Sequence, residues 1–321
     1  MSDSPLPKDL TGVNREALVD AQGLSFREFR QTLTPRYGVA WMQLVSGHAV
    51  LVATAFGVAA CGASGAAGVS AVAVGIGAVI IGYYLAYLYL FVHEAAHYNL
   101  VSTRVWNDRL ADLAVGVFVG ESVAGYRDLH FQHHRDLGKP SDPEHSYFEA
   151  LGPRFLVESL TGVRALRVVR EKLGAGDAHP GGRRIAVSLA ACALHGSVVV
   201  GSALAGAFTL SLAWAIGVAG FLPFFASLRQ LLEHRDEDAD DRVDYSAVPH
   251  GAVNRLFGDG PISSTFGGAG FNRHLLHHWE PAVSFTRLRE LESYLRSTQH
   301  RELLEARTTT YPRAFAVLIS R

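Results

Sequence analysis

Residues 69–97 read VSAVAVGIGAVIIGYYLAYLYLFVHEAAH. Up to Val92 the stretch carries no Asp, Glu, Lys or Arg. A helix needs about 20 predominantly apolar residues to cross the hydrocarbon of a bilayer, so the stretch reads as a membrane span over 69–92. Tyr83, Tyr84, Tyr87 and Tyr89 near its end suit the interfacial belt where amphipathic rings collect. His93-Glu94-Ala95-Ala96-His97 follows at once, and i, i+4 spacing puts both imidazoles on one helix face.

The charge-free run begins earlier, at Gln43, which leaves room for a preceding span over 43–61 and a turn at Gly62-Ala63-Ser64-Gly65. A second charge-free run, Ile185 to Leu228, accommodates spans over 185–205 and 208–228 turning near Gly206. The many glycines fit membrane helices, where small residues let backbones approach. With a net charge of −1 and no basic cluster, nothing points to nucleic acid. Residues 1–42 lack the short apolar core of a cleavable signal and are expected as a soluble arm, with Ser25–Arg30 as a short amphipathic helix. Cys61 and Cys192, each within an apolar segment, are expected as small buried residues.

Between the hairpins, residues 109–120 are apolar but too short to span, so a re-entrant, interfacial or protein-packed segment is expected. Arg164, Arg167, Arg170 and Lys172 alternate with Leu160, Val163, Leu166 and Val169 as in an amphipathic helix, on the membrane surface or against a cytosolic domain. His179-Pro180-Gly181-Gly182 copies a haem-binding tetrapeptide of cytochrome b5, but too little chain surrounds it for a haem domain, and Pro-Gly-Gly reads as a turn.

Two more histidine groups stand outside the hairpins, His130-Phe131-Gln132-His133-His134 and His274-Leu275-Leu276-His277-His278. Each hairpin returns the chain to its starting side, so all three groups and His234 share one face. Every Lys and Arg lies outside the hairpins, which makes that face cytoplasmic, with both termini. Imidazole is the commonest protein ligand for transition metals. HExxH alone would suggest a zinc intramembrane protease, yet one catalytic zinc takes three protein ligands and a water, which leaves most of the clustered histidines unused. A metal transporter would place its ligands near mid-membrane in broken helices, not at helix ends on one side. His48 and His195 fall inside spans without clustered partners, so hydrogen bonding within the bundle is expected of them. His145, His250 and His300 are expected in loops or at the surface.

The pattern HxxxH, HxxHH, HxxHH resembles the membrane fatty acid desaturase family. The resemblance covers roughly Tyr37 to Leu295 in hairpin and box order, with Asn272 before the third box and His134-Arg135 followed by Asp142-Pro143. It implies an all-α integral membrane protein: a four-helix transmembrane bundle with a cytosolic helical cap, residues 93–184 and 229–300, holding the metal site. The membrane domain would then run over 43–300, between the 1–42 arm and a 301–321 tail. The resemblance further implies two Fe ions cycling between Fe2+ and Fe3+, O2 as co-substrate, and a fatty acyl or lipid-like chain as substrate, held bent in a tunnel lined by the spans. On this basis the metal ligands are His93, His97, His130, His133, His134, His234, His274, His277 and His278. Gln230, one turn before His234, would hold a metal-bound water, although stearoyl desaturases carry Asn there. Glu94, Asp128, Asp136, Glu233, Asp236 and Asn272 lie beside the ligands as candidates for orienting them. No separate acid–base residue is demanded.

Desaturation, hydroxylation and oxidative decarboxylation all share such a site; the second box lacks the Glu-His-Asn lead-in of alkane hydroxylases. A catalytically dead lipid-binding relative is opposed by retention of all nine histidines. An iron–sulfur cluster takes four ligands and the chain has two cysteines, so electrons are expected from a separate ferredoxin-, rubredoxin- or cytochrome b5-like donor. The acidic run Asp236 to Asp241 reads as a solvated loop or as a face for a basic donor.

Overall fold

A computed structural model describes residues 10–174, 181–251 and 253–321, so His179 and Pro180 lie outside the described residues. The fold is all-α, with four helices of membrane length: Tyr37–Ala63, Ala67–Ala96, Gly182–Leu204 and Phe208–His234. The chain is a multi-pass membrane protein. Gly65 (φ 71°) and Gly206 (φ 77°) make the two expected turns in the left-handed conformation that only glycine adopts without strain. The second and fourth helices outrun the apolar stretches that foretold them. Backbone hydrogen bonding continues past the last apolar residue, and 30 residues at 1.5 Å each make a helix of about 45 Å, longer than the hydrocarbon is thick.

The chain forms two compact units. One comprises Trp41–Phe131 and Leu151–Arg229 and holds nearly all of the spans. Its second and fourth helices meet where glycines leave no room for a side chain. A Cβ on Gly82 would lie 2.2 Å from Phe221 Cβ and 2.7 Å from the Leu222 nitrogen.

The apolar segment between the hairpins forms a helix Arg104–Ala111 followed by a π-turn Asp112–Gly116 and a last turn Val117–Val119. A π-turn loosens the regular ladder, and irregular backbone survives at membrane depth only where protein satisfies it. His48 Nε2 meets the Ala114 carbonyl at 2.8 Å, and His195 Nε2 the Phe118 carbonyl at 3.0 Å. Trp214 Nε1 donates to His195 Nδ1, so the proton of that ring sits on Nε2 and faces Phe118. Both intramembrane histidines therefore serve hydrogen bonding within the bundle, as expected.

Helices Pro153–Leu160 and Val163–Gly174 turn Val157, Leu160, Val163 and Leu166 outward, while Arg164 is buried with its guanidinium over the Phe155 ring. Both cysteines depart from expectation: Cys192 is exposed on the third span and Cys61 only half-buried on the first, since apolar side chains on a span face outward as readily as the core.

The other unit comprises Met1–Ala40, Gln132–Ala150 and Gln230–Arg321. Helix Phe26–Thr32 opens with a reciprocal capping box between Ser25 and Glu28. Phe26 packs on Trp279, Phe29 stacks on Tyr294 at 4.3 Å, and Arg30 pairs with Glu280. The chain before the first span thus lies against the third histidine group. The C-terminal segment packs in too: Tyr311 stacks on Phe257 at 3.8 Å and donates to Glu233.

Candidate metal centre

In the unit that holds the spans, His93 lies near the end of the second helix, His97 caps it, and His130 sits on helix Val123–Asp136. One nitrogen from each of these three rings falls within 4.8 Å of the others, and His97 Nε2 is 2.9 Å from His130 Nε2. The end of the second helix is fastened by Arg127, whose guanidinium donates to the carbonyls of Ala95 and Ala96 and pairs with Asp108. Helix C-terminal carbonyls otherwise lack donors, so Arg127 holds the turn from which His93 and His97 project. His93 Nδ1 faces Glu94, which also accepts from Asn99. The Tyr126 ring lies flat on His130, with its hydroxyl 3.3 Å from Nδ1.

In the other unit, His133 and His134 come from the C-terminal part of helix Val123–Asp136, His234 from the end of the fourth span, and His274, His277 and His278 from helix His274–Trp279. The Nε2 atoms of His234, His274 and His278 form a triangle with sides of 2.9, 3.0 and 3.3 Å. His133 joins His234 and His278 within 4.8 Å. His134 and His277 pair through Nε2 at 3.1 Å. Two ligands at right angles on one metal, at a bond length of about 2.1 Å, lie about 3 Å apart, so this triangle fits one face of a coordination sphere. The donor set is imidazole with carboxylates behind it, which suits iron, copper, nickel and zinc alike.

Protonation agrees. Burial, then the neighbouring His130 and Arg127, holds His97 well below the usual histidine range. Burial and four surrounding histidines do the same to His278. A neutral imidazole is the form that binds metal.

The outer nitrogens of several rings are engaged, which fixes tautomer and ring orientation. His133 Nδ1 meets both Asp142 oxygens at 2.9 Å, and His234 Nδ1 donates to the Gln230 carbonyl at 2.9 Å. Tyr147 stacks on His234 at 4.6 Å, donates to Asp142 and accepts from the Gly138 N–H. Among the described residues His278 Nδ1 has no partner.

Of the residues expected to orient the ligands, Glu94 reaches His93, and Glu233 groups with His234 and His274 while accepting from Tyr311. Asp128 is exposed, and Asp136 pairs with Lys139. Asp236 accepts from the Asp238 N–H, and Asn272 donates to the Gly258 carbonyl. The Gln230 amide accepts from Ser146 and donates to Glu144. Tyr126, Asp142 and Tyr147 are not foreseen from the sequence as partners of the clustered histidines. Tyr126 precedes His130 by one helical turn on the same helix, and that spacing was a usable signal.

The fatty acid desaturase family model matches the chain over residues 69–310, most of its length, and the chain belongs to that family. With its histidine clusters able to hold metal, it is a desaturase-type membrane oxidoreductase. No curated protein matches it significantly.

Proposed function

We propose that the protein is an O2-dependent non-haem diiron enzyme that introduces a double bond into a fatty acyl or lipid-like chain. The observation that carries this is the Nε2 triangle of His234, His274 and His278 with His133 beside it, in a chain of this family. These four rings hold one iron, and His93, His97 and His130 belong to the other. His134 and His277 complete the nine ligands. Iron bound there supplies, with dioxygen, the oxidising power to break an unactivated C–H bond. The protein's own residues orient the rings: Asp142 and Glu94 through Nδ1, and Tyr126 and Tyr147 by stacking. Gln230, whose amide is itself held by Ser146 and Glu144, sits one turn before His234 to orient water at the metal.

The spans place the substrate in the bilayer, and electrons come from a separate ferredoxin-, rubredoxin- or cytochrome b5-like donor. The charge distribution puts the histidines and both termini on the cytoplasmic side.

The deciding measurement is metal per chain after anaerobic purification in detergent, for wild type and for the double variant His277→Ala, His278→Ala. Close to two irons, lost or reduced in the variant, supports the reading. A single zinc that survives the change overturns it. Lipid profiles of expressing cells then separate alkenes from alcohols or shortened terminal alkenes.

A further inference from the structure

A cavity of about 430 Å³ lies within the unit that contains the third histidine group. Its walls include Thr11, Arg15, His134, Arg135, Asn254 and His278. Thr11 and Arg135 are exposed, whereas Asn254 is 2 % exposed. The cavity therefore runs from the surface to two of the proposed ligand rings. Two polar atoms of these lining residues are buried without a partner among the described residues, Nδ1 of His278 and Oδ1 of Asn254. If His278 binds metal through Nε2, its Nδ1 carries a proton and needs an acceptor, while Asn254 Oδ1 needs a donor. Water meets both needs. About 10–15 Å³ of such volume holds one water, so the cavity has room for a connected cluster.

We propose that this cavity is a water-filled port through which protons reach the metal pocket, an inference that rests on the function proposed above. Desaturation breaks two C–H bonds, forms one C=C bond and reduces O2 to two waters. The substrate supplies two electrons and two protons, a one-electron donor protein supplies two more electrons, and two further protons come from solvent. Most of the other ligand rings are buried, His130, His133, His234, His274 and His277 among them. Asn254 Oδ1 is an acceptor for such a water and His278 Nδ1 a donor to one, and both residues line the cavity. Neither Asn254 nor Thr11 ionises, so each holds water without competing for the proton.

Two readouts test this on full-length, iron-loaded protein with Cys61→Ser and Cys192→Ser. Leu137 lines the cavity. Leu137→Cys should react with a small hydrophilic thiol reagent roughly tenfold faster than Leu256→Cys, a buried control, because thiol reactivity follows access. Asn254→Leu should retain the wild-type iron content yet release several-fold more hydrogen peroxide per double bond formed. Thr11→Trp, a plug at the exposed mouth, should do the same if Asn254→Leu fails to fold. A Leu137→Cys variant that does not react, or an unchanged peroxide ratio in a variant that keeps its iron, overturns the port even while desaturation stands. Fast labelling in a protein that oxidises no lipid leaves the aqueous cavity standing and removes its catalytic purpose.

Discussion

His133 Nδ1 lies 2.9 Å from each oxygen of Asp142, and neither side chain is more than 1 % exposed. The contact holds the His133 proton on Nδ1 and leaves Nε2 as a lone-pair donor facing His234 and His278. Partners of this kind commonly contribute 10–100-fold to metal affinity. Asp142→Asn should weaken metal binding by about that factor while helix content is kept, as read by competition with a chelator. Unchanged affinity would mean that His133 is oriented by packing alone.

Tyr147→Phe is expected to separate stability from ligation. The ring on His234 remains, but the buried Gly138 N–H loses its acceptor and Asp142 loses a donor. An unsatisfied buried donor costs about 1–3 kcal/mol. Denaturation of the variant in detergent should show a loss of that size, with a smaller change in metal affinity than Asp142→Asn.

Acid sensitivity has a second source besides the ligands. Burial, and after it the Arg235 guanidinium, pushes His250 from 6.5 down to about 4. Its neutral Nε2 accepts the Asp236 N–H at 3.1 Å. Between these values the unfolded chain binds a proton that the folded chain refuses. Stability is therefore complete above pH 6.5, falls as pH drops towards 4, and levels off below. In metal-free protein, His250→Gln should lose less of its thermal midpoint across that window than wild type. Parallel losses would assign the slope elsewhere.

Gly82→Ala and Gly75→Ala should act in opposite directions. A methyl on Gly82 meets the backbone of the fourth span, and overpacking of this kind costs about 1–3 kcal/mol. Gly75 has nothing within 4 Å, so alanine there brings only helix propensity, a gain of up to about 1 kcal/mol. Thermal unfolding followed by size-exclusion chromatography distinguishes the two.

The spans and the three boxes were legible because both rest on local pattern, absence of charge in one case and helical spacing in the other. His234 stands alone in sequence, and only the family resemblance picked it out. Asp142 and Tyr147 could not be read as partners of the ligands. They reach His133 and His234 through the loop after helix Val123–Asp136, and no periodicity connects a loop carboxylate to a ring it will meet in space. Arg164 shows the reverse failure: helical spacing grouped it with Arg167 and Arg170, yet packing turned it inward over Phe155.

The notch at Gly82 has a consequence beyond packing. The π-turn Gly217–Phe221 of the fourth span bears on it, and one turn away in either direction the second span offers Ala78 or Ala86 instead. A slide of one helix past the other would drive the bulge onto a methyl group, so the pair behaves as a detent with one stop. His93 lies eleven residues beyond Gly82, about 16 Å along the axis. The position of the first two histidines along the fourth span is thus set by a hydrogen atom where any other residue type would carry a carbon.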